Sequence, residues 1–328
     1  MIELRDKRVL VTGGTGTMGV AILDYLKNSG ARFTVFSRDE EKQHSLLIHH
    51  QHDWPNVEYV IGDIRDRKAL YDTMKKGVDY VLHLAALKHI TTGELFANEV
   101  IETNLIGTRN VVEIADQCGA KRLLNWSTDK AVYAINTYGL AKAIGERVVS
   151  SYEGNTVNIS IRYGNVLGSR GSIVPLWLDK IKRKEPLPVT DYRMSRFFLT
   201  THEAILLSLH ALSQGEHGEL FVMKPKASSI ANLAKALELH FGRQFERIVI
   251  GIRPSEKLFE VLMTSEEASR STEEVIDNVT YVRIRANTNQ DYFNVGELRD
   301  EPKDFTSLDA EQLNAGQVLD KLKEAKLL

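Results

Sequence analysis

The segment Gly13-Gly14-Thr-Gly16-Thr-Met-Gly19 constrains this chain more than any other stretch. It follows the apolar run Arg8-Val-Leu-Val-Thr12 without a gap and opens an amphipathic, helix-spaced pattern. Glycines at 13, 16 and 19 let the backbone leave a strand sharply, approach a pyrophosphate and pack helix on strand. The helix start then offers free N–H donors and positive potential to an anion. A glycine pattern alone is weak; its place at the first turn of a strand–helix–strand unit gives it meaning. The turn predicts a bound dinucleotide.

The following residues repeat the same rhythm. Arg32-Phe-Thr-Val-Phe36, Val57-Glu-Tyr-Val-Ile61, Tyr80-Val-Leu-His-Leu84, Arg122-Leu-Leu-Asn-Trp126 and Thr156-Val-Asn-Ile-Ser-Ile161 alternate with longer amphipathic segments. One of these, around Val111 to Gln117, is closed by Gly119. Short apolar runs alternating with helices read as a doubly wound α/β fold, its parallel sheet covered on both faces and its ligands at the strands' carboxyl ends. After Tyr163 the pattern breaks, with Gly164, Gly168 and Gly171 in a loop-rich passage. The expected division is a dinucleotide-binding part at 1–164 and a smaller α/β substrate-binding part at 165–328. Residues 197–213 are expected to pack back on the first part.

Composition narrows the partners. The 328 residues carry 42 Lys plus Arg against 44 Asp plus Glu, a formal charge of -2. No whole-chain basic field exists to hold nucleic acid or an anionic membrane, so local groups must hold any anionic ligand. Cys118 is the one cysteine, which excludes an intramolecular disulfide. The N-terminus is charged, and the most apolar stretch, Ala204 to Leu212, carries Ser208 and His210 and is too short for a bilayer. A cytoplasmic protein is expected, with the sequons at Asn125, Asn158 and Asn278 unused. His44, His49, His50 and His52 are irregularly spaced, and no metal is expected there. The amphipathic end, Leu319 to Leu328, reads as a packed helix or an oligomer contact.

Cofactor choice turns on the end of the second run. Ser37-Arg38 offers a hydroxyl and a guanidinium, suited to a 2′-phosphate, where an NAD site usually has an acid. NADP is therefore expected over NAD, although Asp39 and Glu40 follow directly.

Chemistry concentrates after the fifth run, at Ser127-Thr128-Asp129-Lys130 and at Tyr138-Gly-Leu-Ala-Lys142. Tyr138 and Lys142, four apart on a helix, share a face. An ammonium beside a phenol lowers its pKa from about 10, so Tyr138 is expected to act as base at a sugar hydroxyl, with Thr128 donating to the same oxygen.

These motifs resemble the extended short-chain dehydrogenase/reductase superfamily, whose fold is a Rossmann-type doubly wound sheet. More narrowly, the chain is similar to the inverting UDP-N-acetylglucosamine 4,6-dehydratases of polysaccharide biosynthesis. The matching stretches are Ser37-Arg-Asp-Glu40, Gly62-Asp-Ile-Arg65, Ala85-Ala-Leu-Lys-His89, Ser127-Thr-Asp-Lys-Ala131, Ile135-Asn136, Tyr138-Gly139 with Lys142, Arg162-Tyr-Gly-Asn165, Gly168-Ser-Arg-Gly-Ser172, Arg193-Met-Ser-Arg-Phe197 and Gly251-Ile-Arg-Pro-Ser-Glu-Lys257. They span about residue 5 to residue 310. Thr128-Asp129-Lys130 is the most specific, since superfamily epimerases have no Asp-Lys pair there and retaining hexose dehydratases use Asp-Glu.

The resemblance implies a reaction. Oxidation at sugar C4 acidifies the C5 proton, a base removes it, an acid protonates the departing C6 hydroxyl, and hydride returns to C6. Reprotonation of C5 from the opposite face inverts it. Lys130 is expected as the C5 base and Asp129 as the C6 acid, and the reverse order satisfies the same chemistry.

Residues implied at NADP are Gly13, Thr15, Gly16, Thr17, Met18, Gly19, Ser37, Arg38, Asp63, Ile64, Ala85, Ala86, Lys88, Asn104, Tyr138, Lys142, Tyr163 and Asn165. At the nucleotide sugar they are Lys88, Glu94, Asn165, Ser172, Arg193, Arg196, Arg253 and Glu256. Arg196 and Arg253 are expected on the diphosphate, and Glu256 on the ribose. Thr91, Ala97 and Ala134 stand where the family has prolines, and Ser255 where it has glycine. A homo-oligomer is implied by the same resemblance. Two other functions fit the fold: a nucleotide-sugar 4-epimerase, and a non-catalytic NADP-sensing protein.

Overall fold

The computed structural model describes residues 2–286 and 302–328. Six strands follow in chain order: β1 (Arg8–Thr12), β2 (Arg32–Ser37), β3 (Val57–Ile61), β4 (Tyr80–His83), β5 (Arg122–Trp126) and β6 (Val157–Arg162). They lie parallel in the spatial order 3-2-1-4-5-6. The order reverses at β1, which has β2 on one side and β4 on the other, so the loops leaving β1 and β4 diverge and open a crevice at their carboxyl ends. The doubly wound α/β fold expected from the sequence is the one observed.

Side-chain alternation explains why both faces are covered. Val9 and Val11 of β1 join a core with Ile22 and Leu23 of helix α1 (Thr17–Leu26) and with Ala204, Leu207 and Ala211 of helix Thr201–Gln214. Leu10 points the other way, into a core with Phe36, Leu70, Met74 and Val111. Period-two alternation with apolar residues on both sides is what a sandwiched parallel strand requires.

A further core lies beyond residue 164. It is built by Trp177 of helix Ile173–Lys182, Leu233 and Leu237 of helix Ile230–Phe241, and Val318 and Leu322 of helix Ala315–Glu324. The C-terminal helix is thus packed. The segment from 165 onward also serves the large sheet. Strand Leu220–Met223 adds beside β6 in parallel, and the hairpin Ser271–Ile276 with Val279–Ile284 closes that edge antiparallel, giving nine strands. Residues 287–301, inside the expected second part, lie outside the described residues.

Buried charge joins the two parts. Arg162, at the end of β6, meets Glu146 of helix Thr137–Ser151 at 2.6 Å and Glu267 of helix Ser265–Ser269 at 2.9 Å. It also donates to the Leu262 carbonyl at 2.9 Å. Burial pushes the Glu267 carboxyl up, but Arg162 outweighs it and holds the group below its ordinary range. Among the described residues, no helix is long and apolar enough to cross a membrane. No group of three or more metal-ligating side chains is found among them either: His49 contacts the Ser45 carbonyl and His50 stacks on Trp54.

Removing one partner of a buried ion group leaves the other charge uncompensated, at a cost of about 3–5 kcal/mol. Glu267→Ala is expected to destabilise the protein by about that amount in urea unfolding.

Candidate active site

The glycine turn is shaped by a close approach. Gly13 has φ +68°, and a Cβ on it would stand 2.8 Å from the N and Cα of Ala85. No side chain fits there, so β1's turn leans directly on the loop after β4. Helix α1 starts at Thr17, its cap Gly16 makes no side-chain bond, and no acid lies in its first turn. Its first N–H groups therefore face the crevice as open donors.

A cleft of about 560 Å³ runs from this turn toward Tyr138. Gly13, Thr15, Gly16, Thr17, Met18, Gly19, Ser37, Arg38, Ile64, Ala85, Ala86, Lys88, Tyr138, Tyr163 and Asn165 line it, as does Thr128. Three residues expected at the cofactor stand behind the lining. Asp63 is held by Arg65 at 2.7 Å and, more loosely, by Arg38 at 3.4 Å. Asn104, on the π-helical turn Glu102–Ile106, clamps both the N–H and the carbonyl of Leu87 at 2.8 Å. It shapes the Ala85–Lys88 loop from beneath. Lys142 is buried, and burial pushes its amine down to about 8 against the opposing charge of Glu146.

The structure clarifies the acids after Arg38. Asp39 caps helix Glu40–His50, accepting from the Lys42 N–H at 2.9 Å, and its other oxygen pairs with the Lys42 ammonium. Arg38 and Lys42 both line the cleft. Arg170, which the sequence reading did not single out, donates its guanidinium to the Thr15 carbonyl and its N–H to Thr17 Oγ1 at 3.2 Å. The loop around it thereby closes on the glycine turn. Its sequence signal was an arginine between Gly168 and Gly171, both at positive φ.

A second cavity, about 460 Å³, opens from the first. Lys88, Lys130, Asn165 and Ser172 line both. Asn165 Oδ1 and Ser172 Oγ are buried without a partner, so both are open to a ligand. At the far end stand Arg253 and Glu256, 3.5 Å apart. Ser255 beside them has φ +67°, a conformation glycine adopts at no steric cost, which accounts for the usual glycine there.

Three residues expected at the nucleotide sugar have partners within the fold. Glu94 lines neither cavity: its carboxylate accepts from the Thr137 N–H at 2.6 Å and so caps helix Thr137–Ser151. Arg193 also stands outside, its side chain 75% exposed and bound bidentately by Asp191. Arg196 does line the second cavity, but its guanidinium donates to the carbonyls of Ser195, Leu258 and Lys257 and faces Glu260 at 3.6 Å. These contacts brace a loop at the cavity wall. In each case a local partner captures a group that sequence motif alone left unassigned.

Lys130, expected as acid or base, stands where the cavities join. Lys130 Nζ donates to Asp129 Oδ1 at 2.9 Å and lies 3.6 Å from Glu260 Oε1. Burial opposes the Lys130 ammonium, but Asp129 and Glu260 outweigh it and hold the amine well above its ordinary value. Thr128 donates to Asp129 Oδ1 at 3.0 Å, while Asp129 Oδ2 is buried and unpartnered. Helix Thr137–Ser151 is pressed onto this turn: a Cβ on Gly139 would lie 2.1 Å from the Lys130 carbonyl. The expected lowering of the Tyr138 phenol by Lys142 is not what the site does. Burial pushes that phenol up, and the groups pulling it back are Lys130 and the Thr128 hydroxyl.

Residues 9–282 match the sequence pattern of the polysaccharide biosynthesis protein family. The chain belongs to that family. A curated UDP-glucose 4-epimerase from Rickettsia felis is 41% identical over 276 residues, covering 81% of this chain and 80% of that one. Among solved structures, Pen from Bacillus thuringiensis superimposes with a TM-score of 0.90 at 32% identity, with full coverage of both chains. A dTDP-glucose 4,6-dehydratase from Streptomyces venezuelae, with NAD and TYD bound, reaches a TM-score of 0.69 at 21% identity over 76% of this chain and 86% of that one. This member of the polysaccharide biosynthesis protein family thus stands among nucleotide-sugar epimerases and dehydratases.

Gly139→Ala is expected to cost about 1–3 kcal/mol in urea unfolding, because backbone must move to admit the methyl group. Dinucleotide affinity in the same variant should stay within a few-fold, since Gly139 lines neither cavity.

Proposed function

We propose that this protein is an NADP-dependent nucleotide-sugar 4,6-dehydratase, a hydro-lyase that acts on UDP-N-acetylglucosamine and inverts C5. The product is a UDP-4-keto-6-deoxy-L-hexosamine for surface polysaccharide. The observation that carries this reading is the 2.9 Å bond between Lys130 and Asp129 at the junction of the two cavities, beside Tyr138. An adjacent ammonium and carboxylate form an acid–base pair, which elimination needs and epimerisation does not.

The residues present fit a dinucleotide: a turn that admits no Cβ, an uncapped helix start and an unpartnered Asn165 Oδ1. When bound, NADP supplies the hydride acceptor for sugar C4 and the donor for C6. Tyr138 takes the proton of the C4 hydroxyl, with the Lys130 ammonium and the Thr128 hydroxyl favouring its ionised form and Lys142 one turn along the same helix. The resulting ketone acidifies the C5 proton. One proton shift along the Lys130–Asp129 bond yields a neutral amine and a carboxylic acid. The amine takes the C5 proton, and the acid gives its proton to the departing C6 hydroxyl, leaving as water. The reverse order, Asp129 as base and Lys130 as acid, starts from the ion pair with no prior shift.

Arg38, Lys42 and Ser37 on the cleft wall favour a 2′-phosphate, and Asp39 is committed to its helix cap. Leu95, Phe96, Leu140 and Ile144 are exposed on neighbouring helices, an apolar face that a second copy can cover in a homo-oligomer. The name of the Rickettsia relatives favours a second reading, a nucleotide-sugar 4-epimerase. It leaves the Asp129–Lys130 pair without a task.

Incubation with UDP-N-acetylglucosamine in heavy water is expected to give a product lighter by one water, with deuterium at an inverted C5. An isomer of unchanged composition supports the epimerase, and tight NADP binding without turnover supports a cofactor sensor. Lys130→Ala is expected to keep NADP affinity while abolishing dehydration; a nearly normal rate removes Lys130 from the reaction. Arg38→Ala should weaken NADP by about tenfold, the scale of one charge-assisted contact, and leave NAD nearly unchanged. Equal losses for the two cofactors overturn the preference for NADP.

A further inference from the structure

Glu260 is the buried acid that the proposed reaction leaves without a role. It precedes strand Val261–Met263, is 2% exposed and lines the second cavity. Its backbone is anchored on both sides by Ser307, whose hydroxyl accepts from the Glu260 N–H at 3.0 Å and whose N–H donates to the Glu260 carbonyl at 2.8 Å. Its side chain has no such tie. Oε1 lies 3.6 Å from both Lys130 Nζ and Arg196 Nε, and Oε2 is buried with no partner. A buried carboxylate that long contacts only half satisfy is costly unless its charge is used.

The surroundings show where that charge acts. Lys130 Nζ stands between two carboxylates from distant parts of the chain, Asp129 at 2.9 Å and Glu260 at 3.6 Å. The other charges facing the group are Arg196, fixed by three backbone carbonyls, and half-buried Lys257, which donates to the Val132 carbonyl. Tyr138 feels the Lys130 charge from the cofactor side. Arg196, Lys257 and Asp129 each have partners beyond Glu260, whereas among the described residues the Glu260 carboxylate has only the two long contacts.

We propose that Glu260 is a positioning residue for Lys130: with Asp129 it clamps the ammonium, and its charge governs the proton that passes between Lys130 and Asp129. The inference rests on the reading of Asp129 and Lys130 as the acid–base pair. A neutral Glu260 leaves Lys130 one anion short, which makes its proton easier to give up. An ionised Glu260 holds the proton on nitrogen. The direction in the free protein agrees with this: burial pushes the Glu260 carboxyl up, and Lys130 pulls it back. No net proton is gained or lost in the step, because the proton leaving Lys130 Nζ arrives on Asp129.

The test follows deuterium uptake at C5 across pH in the full-length protein loaded with NADP and UDP-N-acetylglucosamine. Glu260→Gln keeps the shape and removes the charge. Loss of an opposite charge at this range lowers an amine pKa by about one unit or more. One limb of the uptake profile is therefore expected to move to lower pH by about one unit or more. Glu260→Asp, with its charge drawn back, should move the same limb the same way by less, and it decides the matter should the Gln variant not fold. NADP affinity, which needs no proton transfer at Lys130, should be the same in all three proteins. A rising limb that moves marks Lys130 as the base, and a falling limb marks it as the acid; either supports the clamp. An uptake profile superimposable on that of the unaltered protein overturns it. So does a loss of NADP affinity in step with the change in uptake, since that is the mark of a merely structural role. Absence of C5 uptake in the unaltered protein overturns the dehydratase reading and this inference with it. Normal uptake with unmoved variants overturns this inference alone.

Discussion

Gly13 lies so close to the Ala85 backbone that the end of β1 and the start of the loop after β4 are a single surface. Everything in the first cleft is placed relative to that surface. Thr12 Oγ1, at the same point, accepts from the Ala85 N–H and contacts Nδ1 of His83, which is fully buried. Burial pushes His83 down to about 3, so its ring is neutral, and its other nitrogen meets Thr108. Thr108 in turn donates to the Asn104 carbonyl, and Asn104 holds Leu87. A hydrogen-bonded line thus runs from β1 through the core to the loop after β4 that lines the first cleft. Such fully satisfied buried networks specify one arrangement, because each half-made alternative leaves a polar group unpaired.

The second organising feature is charge taken out of water in two clusters. One joins Glu146, Arg162 and Glu267, where every long side chain has short partners. The other joins Asp129, Lys130, Glu260 and Arg196, where one oxygen of each acid is unpartnered. The first is closed and holds the two parts of the chain together. The second is open toward the second cavity, and its unmade hydrogen bonds are the kind that sites retain for a ligand. Glu146 ties the two, since the Ser127 hydroxyl donates to it one residue before Thr128.

Much of this was legible in the residues. The glycine turn, the alternating runs and the Thr128-Asp129-Lys130 stretch with Tyr138 downstream pointed to the sheet, the crevice and the charged turn beside it, because each depends on local geometry or fixed spacing. Arg193, Arg196 and Glu94, expected at the nucleotide sugar, have protein partners that the sequence did not show, for one shared reason. An arginine or a glutamate in a suitable motif serves whichever partner the fold brings nearest, and here those partners were Asp191, three backbone carbonyls and the Thr137 N–H. Arg170 and Glu260 went unnoticed because their partners, Thr15 and Lys130, are more than a hundred residues away.

By itself the sequence determined the fold class, the glycine turn, the likeness to a sugar-modifying family and the adjacency of Asp129 and Lys130. Each is written in a short window, where backbone sterics and side-chain period act over a few residues. Only the tertiary structure decided which charges stand beside Lys130, which way the Tyr138 phenol is pushed and which arginines remain free. Those are properties of burial and of contacts between distant segments, and the strength of a charge in a protein depends on what surrounds it.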